Sequence, residues 1–139
     1  MMEIFYEFNF DAAHQFMHKP AGHKYRALHG HSFRAEIAVV GQPAPETGFI
    51  VDFASLEQAC EKLRETLDHS FLNEVEGLAI PSLENISRWI WQRLQPQFPG
   101  LHRVVIRRDS CRQGCVYYGE GNGSELSRWP CTGAALSAK

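Results

Sequence analysis

The chain has 139 residues, of which 44% are hydrophobic and 22% are charged, and its formal net charge is −2 at neutral pH. These values are those of an ordinary globular protein, and the length is sufficient for a single buried core. So small a net charge provides neither a basic surface for nucleic acid nor a polybasic segment for an anionic membrane. We therefore expect neither nucleic acid nor a membrane as a partner.

The first residues, MMEIFYEFNFDAAH, lack the positive region and the apolar block of a signal peptide, and no long apolar run follows. Four cysteines in a chain without an export signal argue against a disulfide framework. We expect a cytoplasmic protein with reduced thiols and a single domain over residues 1–120. From Gly121 onward the composition shifts to small and polar residues, which predicts a loosely held tail over 121–139.

Two strands are predicted at the start of the chain. Apolar residues alternate with more polar ones from Ile4 to Phe10, and the same parity continues to His14. In the second run, HGHSFRAEIAVVG, His29 and His31 share a parity with the apolar residues that follow them. The three histidines are thus predicted to lie on apolar faces of their strands.

The middle of the chain predicts one short strand and two helices. After the Pro-rich loop GQPAPETG, the segment FIVDF (49–53) is typical of a third strand. Asp52 then caps a helix through about Leu67, and Ser82 caps a second helix through Leu94. The segments HRVVIRRD and CVYYGE predict a closing hairpin. The order β-β-β-α-α-β-β indicates the α+β class with a mostly antiparallel sheet.

Three histidines form a candidate metal site. Residues i and i+2 of a strand project to the same face, so His29 and His31 can bind one ion. An antiparallel pairing of the first two strands would bring His14 opposite them, giving three imidazoles and an open fourth position, as in catalytic zinc sites. A lone H-x-H pattern is a weak signal, and His18 and His23 in the intervening loop are alternative ligands or simply solvated residues.

A second candidate group follows the first helix, where Asp68 precedes His69 in LDHSFLN. A carboxylate beside an imidazole can raise its basicity and fix its tautomer, as general acid–base catalysis requires. Alternatively, His69 only interacts favourably with the carbonyl groups at the end of the helix. The pattern leaves both interpretations open.

Six sequence blocks occur in the same order and with similar gaps as in a known family: FDAAH, GHKYRALHGHSF, GFIVDF, LDHSFLN, PSLENISRWIW and SCRQGCVYYGE. Together they resemble the 6-pyruvoyl-tetrahydropterin synthase family over about residues 3–120. Within it they are most similar to the bacterial branch that contains 6-carboxy-tetrahydropterin synthase, of queuosine biosynthesis. Six blocks in order are far more specific than any one of them.

The resemblance implies a T-fold, in which a four-stranded antiparallel sheet carries two helices on one face and assembles into a barrel. It also implies a homo-oligomer, a trimer or a hexamer of two stacked trimers, with the substrate pocket between subunits. The family substrate is 7,8-dihydroneopterin triphosphate. The zinc ligands of the family match His14, His29 and His31.

Further residues can be carried over position by position. The Asp-His pair of the family matches Asp68 and His69, and the threonine and glutamate at the second helix match Ser82 and Glu84. The glutamate that holds the pterin ring corresponds to Asp109. A carboxylate accepts two N–H bonds from the ring in either case, but aspartate is shorter by about 1.5 Å, one carbon–carbon bond.

One position departs from the family more strongly. Members of the synthase type usually carry a proton-abstracting cysteine four residues before HGH, and this chain has Tyr25 there. Tyrosine is bulkier and has a reference pKa of about 10, against about 8.5 for a thiol. We therefore expect Tyr25 to act either as a phenolate or as a proton donor. Charge for the triphosphate could come from Lys24, Arg26, Arg107 and Arg108, with Arg108 alternatively a solvated strand-edge residue.

Two hypotheses for the function follow. In the first, the chain is a zinc-dependent pterin lyase that forms 6-carboxy- or 6-pyruvoyl-tetrahydropterin, with Asp68, His69 and Tyr25 as catalytic residues. In the second, it is a paralogue without the catalytic cysteine that binds pterin without turnover, or that shortens the side chain to a 6-hydroxymethyl pterin. Retention of the Asp-His pair and of all three zinc ligands favours the enzyme.

Overall fold

The protein is seen here in a computed structural model that describes residues 1–120. Four antiparallel strands form one sheet in chain order, namely β1 (Met2–His14), β2 (His29–Gly41), β3 (Leu101–Arg108) and β4 (Gln113–Tyr117). Two helices, α1 (Phe53–Leu67) and α2 (Leu83–Leu94), lie between β2 and β3 in sequence. Neither helix is long and apolar enough to cross a membrane. The predicted α+β class and four-stranded sheet are confirmed.

The core lies between one face of the sheet and the two helices. Phe10 and Phe33, which pair across β1 and β2, stack with 4.9 Å between ring centroids. Leu56 of α1 and Ile90 of α2 are fully buried in the same cluster. Each such side chain stabilises the fold by about 1.5–3 kcal/mol. The register is therefore well specified, because a slip of one residue would turn every apolar side chain to the other face.

Both helices begin where the sequence predicts. The side chain of Asp52 accepts a hydrogen bond from the Ala54 amide at 2.9 Å, and that of Ser82 accepts one from the Asn85 amide at 3.1 Å. Each bond satisfies an amide that the first helical turn leaves without a partner, which is worth about 1 kcal/mol.

The predicted third strand, residues 49–53, is wrong. Residues 49–52 belong to the connection between β2 and α1, Phe53 begins α1, and Phe49 is half exposed. Its backbone groups form local bonds instead, because the Phe49 amide donates to Thr47 Oγ1 and the Phe49 carbonyl accepts from Ala44. Since β2 already has β1 and β3 as neighbours, no sheet edge is free beside it. An apolar run alone does not make a strand.

The face of the sheet away from the helices is charged. Arg103 of β3 donates to Glu3 of β1 at 2.6 Å and also pairs with Glu36 of β2. A second set of ion pairs, described below, centres on Arg34. This polar face contrasts with the apolar face that carries the histidines, so the two faces can serve different purposes.

The predicted tail over 121–139 and Cys131 lie outside the described residues. Among residues 1–120, Cys60, Cys111 and Cys115 are all free thiols, as predicted for these three. Cys60 is fully buried against the core, whereas Cys111 is exposed.

Candidate metal centre and active site

The strand register brings the three predicted histidines together. In the pairing of β1 with β2, His14 lies opposite His29, and Ala12 lies opposite His31. One nitrogen from each imidazole lies within 4.8 Å of the other two. In the part of the chain that the structure describes, His18 and His23 do not join this group. The alternative ligands in the loop are therefore not needed for a three-histidine site.

Backbone carbonyls fix the tautomers of two of these histidines. Nδ1 of His14 lies 3.1 Å from the carbonyl oxygen of Pro81, and Nδ1 of His29 lies 2.7 Å from that of Ala27. A carbonyl can only accept, so each Nδ1 carries the hydrogen and each Nε2 keeps a free lone pair. Among the described residues, Nε2 of His14, His29 and His31 is buried without a hydrogen-bond partner. Three orphaned lone pairs fit a metal ion.

The electrostatics also suit a metal. Burial lowers the pKa of His14 to about 4, and its side chain is 0% exposed. Burial likewise lowers the pKa of His31, and the positive charge of Arg108 is the next largest cause. Neutral imidazole is the form that binds a metal. The cluster of His14, His29 and His31 can therefore hold a divalent metal ion.

Tyr25 lies beside this cluster, on the loop between β1 and β2. Its ring is roughly parallel to that of His29, with 6.1 Å between centroids. The loop is closed by a bond from the Phe16 amide to the Tyr25 carbonyl at 2.8 Å. Lys24 is exposed and places its ammonium 5.2 Å from the centre of the Tyr25 ring. The structure thus brings both predicted residues to the side of His29.

Arg26 serves the same loop rather than a ligand. Its NH1 donates to the carbonyl oxygen of Met17 at 2.6 Å and to that of Lys19 at 2.9 Å. A guanidinium that holds two backbone carbonyls fixes the loop that carries Tyr25. The structure gives Arg26 this structural contact through NH1, and its contact with a phosphate stays a prediction.

Asp68 and His69 form the predicted pair. Asp68 Oδ2 lies 2.9 Å from His69 Nδ1, and Asp68 Oδ1 accepts from the Asp11 amide at 2.8 Å. That backbone amide is the main cause, and the bond to His69 the next, of a lowered pKa of Asp68. The carboxylate therefore stays ionised and orients an imidazole whose side chain is 81% exposed. This is the geometry of a general acid–base pair.

His69 has a left-handed backbone, with φ of 58°. The chain can then leave α1 and run along the outer edge of β1, where the His69 amide donates to the Asp11 carbonyl at 2.6 Å. One residue on, the Ser70 carbonyl accepts from the Ala13 amide at 2.9 Å. Asp11 thus holds the pair from both sides, through its amide and its carbonyl.

The His69 imidazole opens on a shallow cleft of about 500 Å³ that Asp11 and Ser32 also line. Ser32 Oγ donates to Asp11 Oδ1 at 2.5 Å. Because side chains alternate between the two faces along β1 and β2, those of Asp11 and Ser32 leave the sheet on the face opposite to His14 and His31. His31 of the metal cluster also lines this cleft, so within one chain the acid–base pair and the metal cluster border a common cleft.

The start of α2 touches the metal cluster through one carbonyl. Pro81, which accepts from His14, immediately precedes Ser82, the N-cap. Glu84 is exposed in the first turn of the helix. The structure thus places Ser82 next to the residue that contacts the cluster, and it uses the Ser82 hydroxyl as a cap.

Asp109 lies in a short 3-10 turn (Asp109–Cys111) between β3 and β4 and is paired with Arg34. Arg34 donates from Nε to Oδ2 at 2.9 Å and from NH2 to Oδ1 at 3.2 Å. These hydrogen bonds lower the pKa of Asp109 and keep it ionised. Arg107, on the same polar face, lies 3.9 Å from Glu36. The predicted ring anchor is thus preorganised by an arginine that the sequence did not indicate.

Cys111 at the cluster was not predicted, and Arg108 was predicted only as a phosphate contact or a solvated strand-edge residue. Cys111 Sγ lies 3.8 Å from His31 Nδ1, and Arg108 leaves β3 on the helix side of the sheet. The alternation that set Arg108 opposite to Asp109 suggested a solvated residue. The same alternation, counted from buried Ile106, would have placed it on the face of the histidines.

Fold and site together define a class of protein: a T-fold domain with a three-histidine centre at one end of its sheet. A solved structure of 6-pyruvoyl tetrahydropterin synthase from Caenorhabditis elegans has this fold, with a TM-score of 0.75 and 20% sequence identity. The match covers 85% of this chain and 95% of that one.

Sequence comparison names the family. The family model for 6-pyruvoyl tetrahydropterin synthase matches residues 3–120, and the chain belongs to this family. It is 38% identical to a 6-carboxy-5,6,7,8-tetrahydropterin synthase from Synechocystis over 85% of this chain and 94% of the relative. It is 34% identical to a dihydroneopterin monophosphate aldolase from Pyrococcus furiosus over 80% of this chain and 89% of that relative.

Proposed function

We propose that this chain is a zinc-dependent pterin lyase that converts 7,8-dihydroneopterin triphosphate into 6-carboxy- or 6-pyruvoyl-tetrahydropterin. One observation carries the proposal: His14, His29 and His31 bring buried, unpaired Nε2 atoms together in a member of the 6-pyruvoyl tetrahydropterin synthase family. The Synechocystis relative, named a 6-carboxy-tetrahydropterin synthase, favours the first product and with it queuosine biosynthesis. Free thiols in the described residues suit a cytoplasmic enzyme.

His14, His29 and His31 would hold the zinc. Three nitrogen ligands are the donor set of catalytic zinc, which prefers a tetrahedral site with one open position. When bound, the ion supplies a Lewis acid that polarises a substrate oxygen. The carbonyls of Pro81 and Ala27 keep two of the ligands in the correct tautomer.

His69 would move the proton, with Asp68 behind it. The ionised carboxylate accepts from Nδ1 of His69, so the other ring nitrogen faces the cleft and exchanges a proton with the substrate. Asp68 also stabilises the imidazolium that forms after proton uptake. Because the Asp11 amide fixes Asp68 at 2.8 Å, the pair needs no rearrangement during the reaction.

Asp109 would anchor the pterin ring. Arg34 uses two lone pairs of the carboxylate, but a carboxylate has about four acceptor positions. The remaining positions can accept the N–H groups of the ring, and the side chain is 61% exposed. Arg34 keeps the shorter aspartate ionised and in place.

Ser82, Glu84 and Lys24 would complete substrate binding. Ser82 is the N-cap of α2 and Glu84 stands in its first turn, where the helix amides donate hydrogen bonds and favour negative charge. Lys24 is exposed beside Tyr25 and can offer its charge to a phosphate.

Tyr25 would replace the thiol of related synthases. The ring lies next to His29, so a hydroxyl at its end can reach a ligand bound at the cluster. A phenol is protonated at neutral pH and can therefore act as a general acid, whereas its phenolate forms only at high pH or beside a cation. We therefore assign Tyr25 the role of proton donor or of a metal-assisted phenolate.

A second copy of the chain would complete the site. Of the three cluster histidines, His31 lines the cleft at His69, and that cleft is shallow, so a second chain packed against it would enclose a substrate. Trimers, or hexamers of two trimers, would place a partner's pair beside each cluster. Gel filtration near three or six times the 15.8 kDa chain mass tests this assembly, and a monomer would contradict it.

The deciding experiment is incubation of zinc-loaded protein with dihydroneopterin triphosphate, followed by mass spectrometry, beside Tyr25→Phe. We expect turnover, a carboxy or pyruvoyl product, and a loss of at least about 100-fold in kcat in the variant. Equal turnover by Tyr25→Phe would remove Tyr25 from the mechanism. Tight pterin binding without turnover would instead identify the chain as a paralogue that binds pterin but does not catalyse its conversion.

A second candidate is cleavage of the side chain to a 6-hydroxymethyl pterin. Two observations favour it: Tyr25 stands in place of the cysteine, and a relative at 34% identity is named an aldolase. The same mass spectrum decides between them, because the 6-hydroxymethyl product has its own mass.

A further inference from the structure

Arg108 is the last residue of β3 and lies on the helix side of the sheet. Ile106, two residues earlier, is fully buried on that face, whereas Arg107 turns to Glu36 on the other. The next turn brings Cys111 within 3.8 Å of His31. The charge of Arg108 also acts on His31, where it is second only to burial in lowering the pKa. The guanidinium thus lies on the same face of the sheet as the metal cluster.

The hydrogen bonds of Arg108 are incomplete. Its NH2 donates to Gln113 Oε1 at 2.6 Å, which holds the guanidinium in place. Its Nε is buried and has no acceptor within the described residues. Among residues 1–120, Arg108 has no carboxylate within ion-pair distance, unlike Arg34, Arg103 and Arg107 of the same sheet.

A buried donor without an acceptor and a cation without a counter-ion are both unfavourable. The neighbouring histidines cannot compensate, since neutral imidazoles carry no negative charge, and a divalent metal would add positive charge. A bound anion would satisfy Nε and balance the charge at once. Arginine presents its N–H groups in a fixed fork that matches carboxylate and phosphate oxygens.

We propose that Arg108 binds an anionic oxygen carried by the side chain at C6 of the pterin. The inference rests on the proposed function and adds that the bound pterin carries an anionic group on its C6 side chain. Two groups could supply the oxygen: the carboxylate of a carboxy or pyruvoyl product, and a phosphate of the substrate. A neutral 6-hydroxymethyl product would not satisfy Arg108, whereas an acidic product or a phosphorylated substrate would.

The test is direct binding by pterin fluorescence, with zinc content measured for every protein. The ligands form two pairs that differ in charge: pterin-6-carboxylate with 6-hydroxymethylpterin, and neopterin triphosphate with neopterin. The variants are Arg108→Gln, Arg108→Lys and, as a matched control from the same hairpin, Arg112→Gln, which removes an exposed charge.

We expect Arg108→Gln to weaken binding of an anionic ligand about 10- to 100-fold and its neutral counterpart less than about twofold. Arg108→Lys should retain part of the affinity, and Arg112→Gln all of it. A loss confined to the carboxylate pair or to the triphosphate pair identifies the source of the oxygen. Equal losses for charged and neutral ligands, or no loss, would overturn the assignment. If the native protein binds none of the four, the proposed pterin function itself fails.

Discussion

The Nδ1 atom of His14 and the carbonyl oxygen of Pro81 are joined by a hydrogen bond of 3.1 Å. The bond links the end of β1 to the residue before the N-cap of α2. It directs Nε2 of His14 toward His29 and His31, so the metal cluster depends on the packing of α2 as well as on the strand register. This arrangement leads to predictions that separate metal binding, proton transfer and stability.

Loss of one histidine of the cluster should abolish tight metal binding. His29→Asn removes one of three nitrogen donors, and since loss of a supporting residue alone costs about 10- to 100-fold in affinity, loss of a ligand should cost at least 100-fold. Elemental analysis and competition with a zinc indicator measure the effect. His23→Asn is the matched control, because His23 stands outside the cluster and only accepts from the Tyr25 amide. Equal zinc content in both variants would contradict the site.

The stability of the metal-free protein should fall in mild acid because of His14. Its pKa drops from 6.5 to about 4 on folding, so between these values the unfolded chain binds a proton that the folded chain does not. The free energy of unfolding therefore rises with pH in this window, by about 2 kcal/mol between pH 5 and pH 7 for this group.

Urea denaturation of chelator-treated protein at the two pH values measures this change. His14→Asn should show a shallower pH dependence by the same amount. An NMR titration of the His14 ring gives its pKa independently. An ordinary value near 6.5 would show that His14 does not cause the loss of stability in mild acid.

Asp68→Asn should impair catalysis without affecting the metal. The variant keeps the shape of the side chain but removes the charge that orients His69 and stabilises its protonated form. We expect kcat to fall by about 100-fold or more, with unchanged zinc content. Glu61→Gln is a suitable control, because Glu61 lies at the same 3.3 Å from Arg64 but does not touch His69. A comparable loss in the control would mean that Arg64, not the acid–base pair, carries the effect.

The cysteines should differ sharply in reactivity. Burial raises the pKa of Cys60 to about 12, and its side chain is 0% exposed, whereas Cys111 is exposed. Because the thiolate is the reactive form, iodoacetamide should modify Cys111 in the native protein and Cys60 only after unfolding. Peptide mapping by mass spectrometry follows both sites, and rapid native labelling of Cys60 would contradict the buried position.

Much of the fold could be predicted from periodicity and capping. The alternation that ends at His14 and begins at His29 placed the histidines on one face, and the caps at Asp52 and Ser82 set the helix starts. The segment 49–53 failed because periodicity does not reveal whether a strand has a neighbour to pair with.

The sequence predicted the site only where several residues of one type act together in a recognisable pattern. Three histidines form a recognisable pattern, but Arg34 is one of many charged strand residues until the fold brings Asp109 to it. Arg108 shows a different limit. Its role depends on which face of β3 is buried. From the sequence, its position opposite to Asp109 suggested a solvated residue, whereas the structure places it on the buried face with Ile106.

The backbone conformation of His69 lowers the thermal stability of the protein, although the imidazole that it carries is needed for turnover. A left-handed φ of 58° is natural for glycine or asparagine but costs other residues about 1–2 kcal/mol. His69→Gly should therefore unfold at a higher temperature while losing turnover. Laboratory selection of this chain for heat tolerance alone would favour loss of the imidazole, so any such selection must screen for activity in the same round.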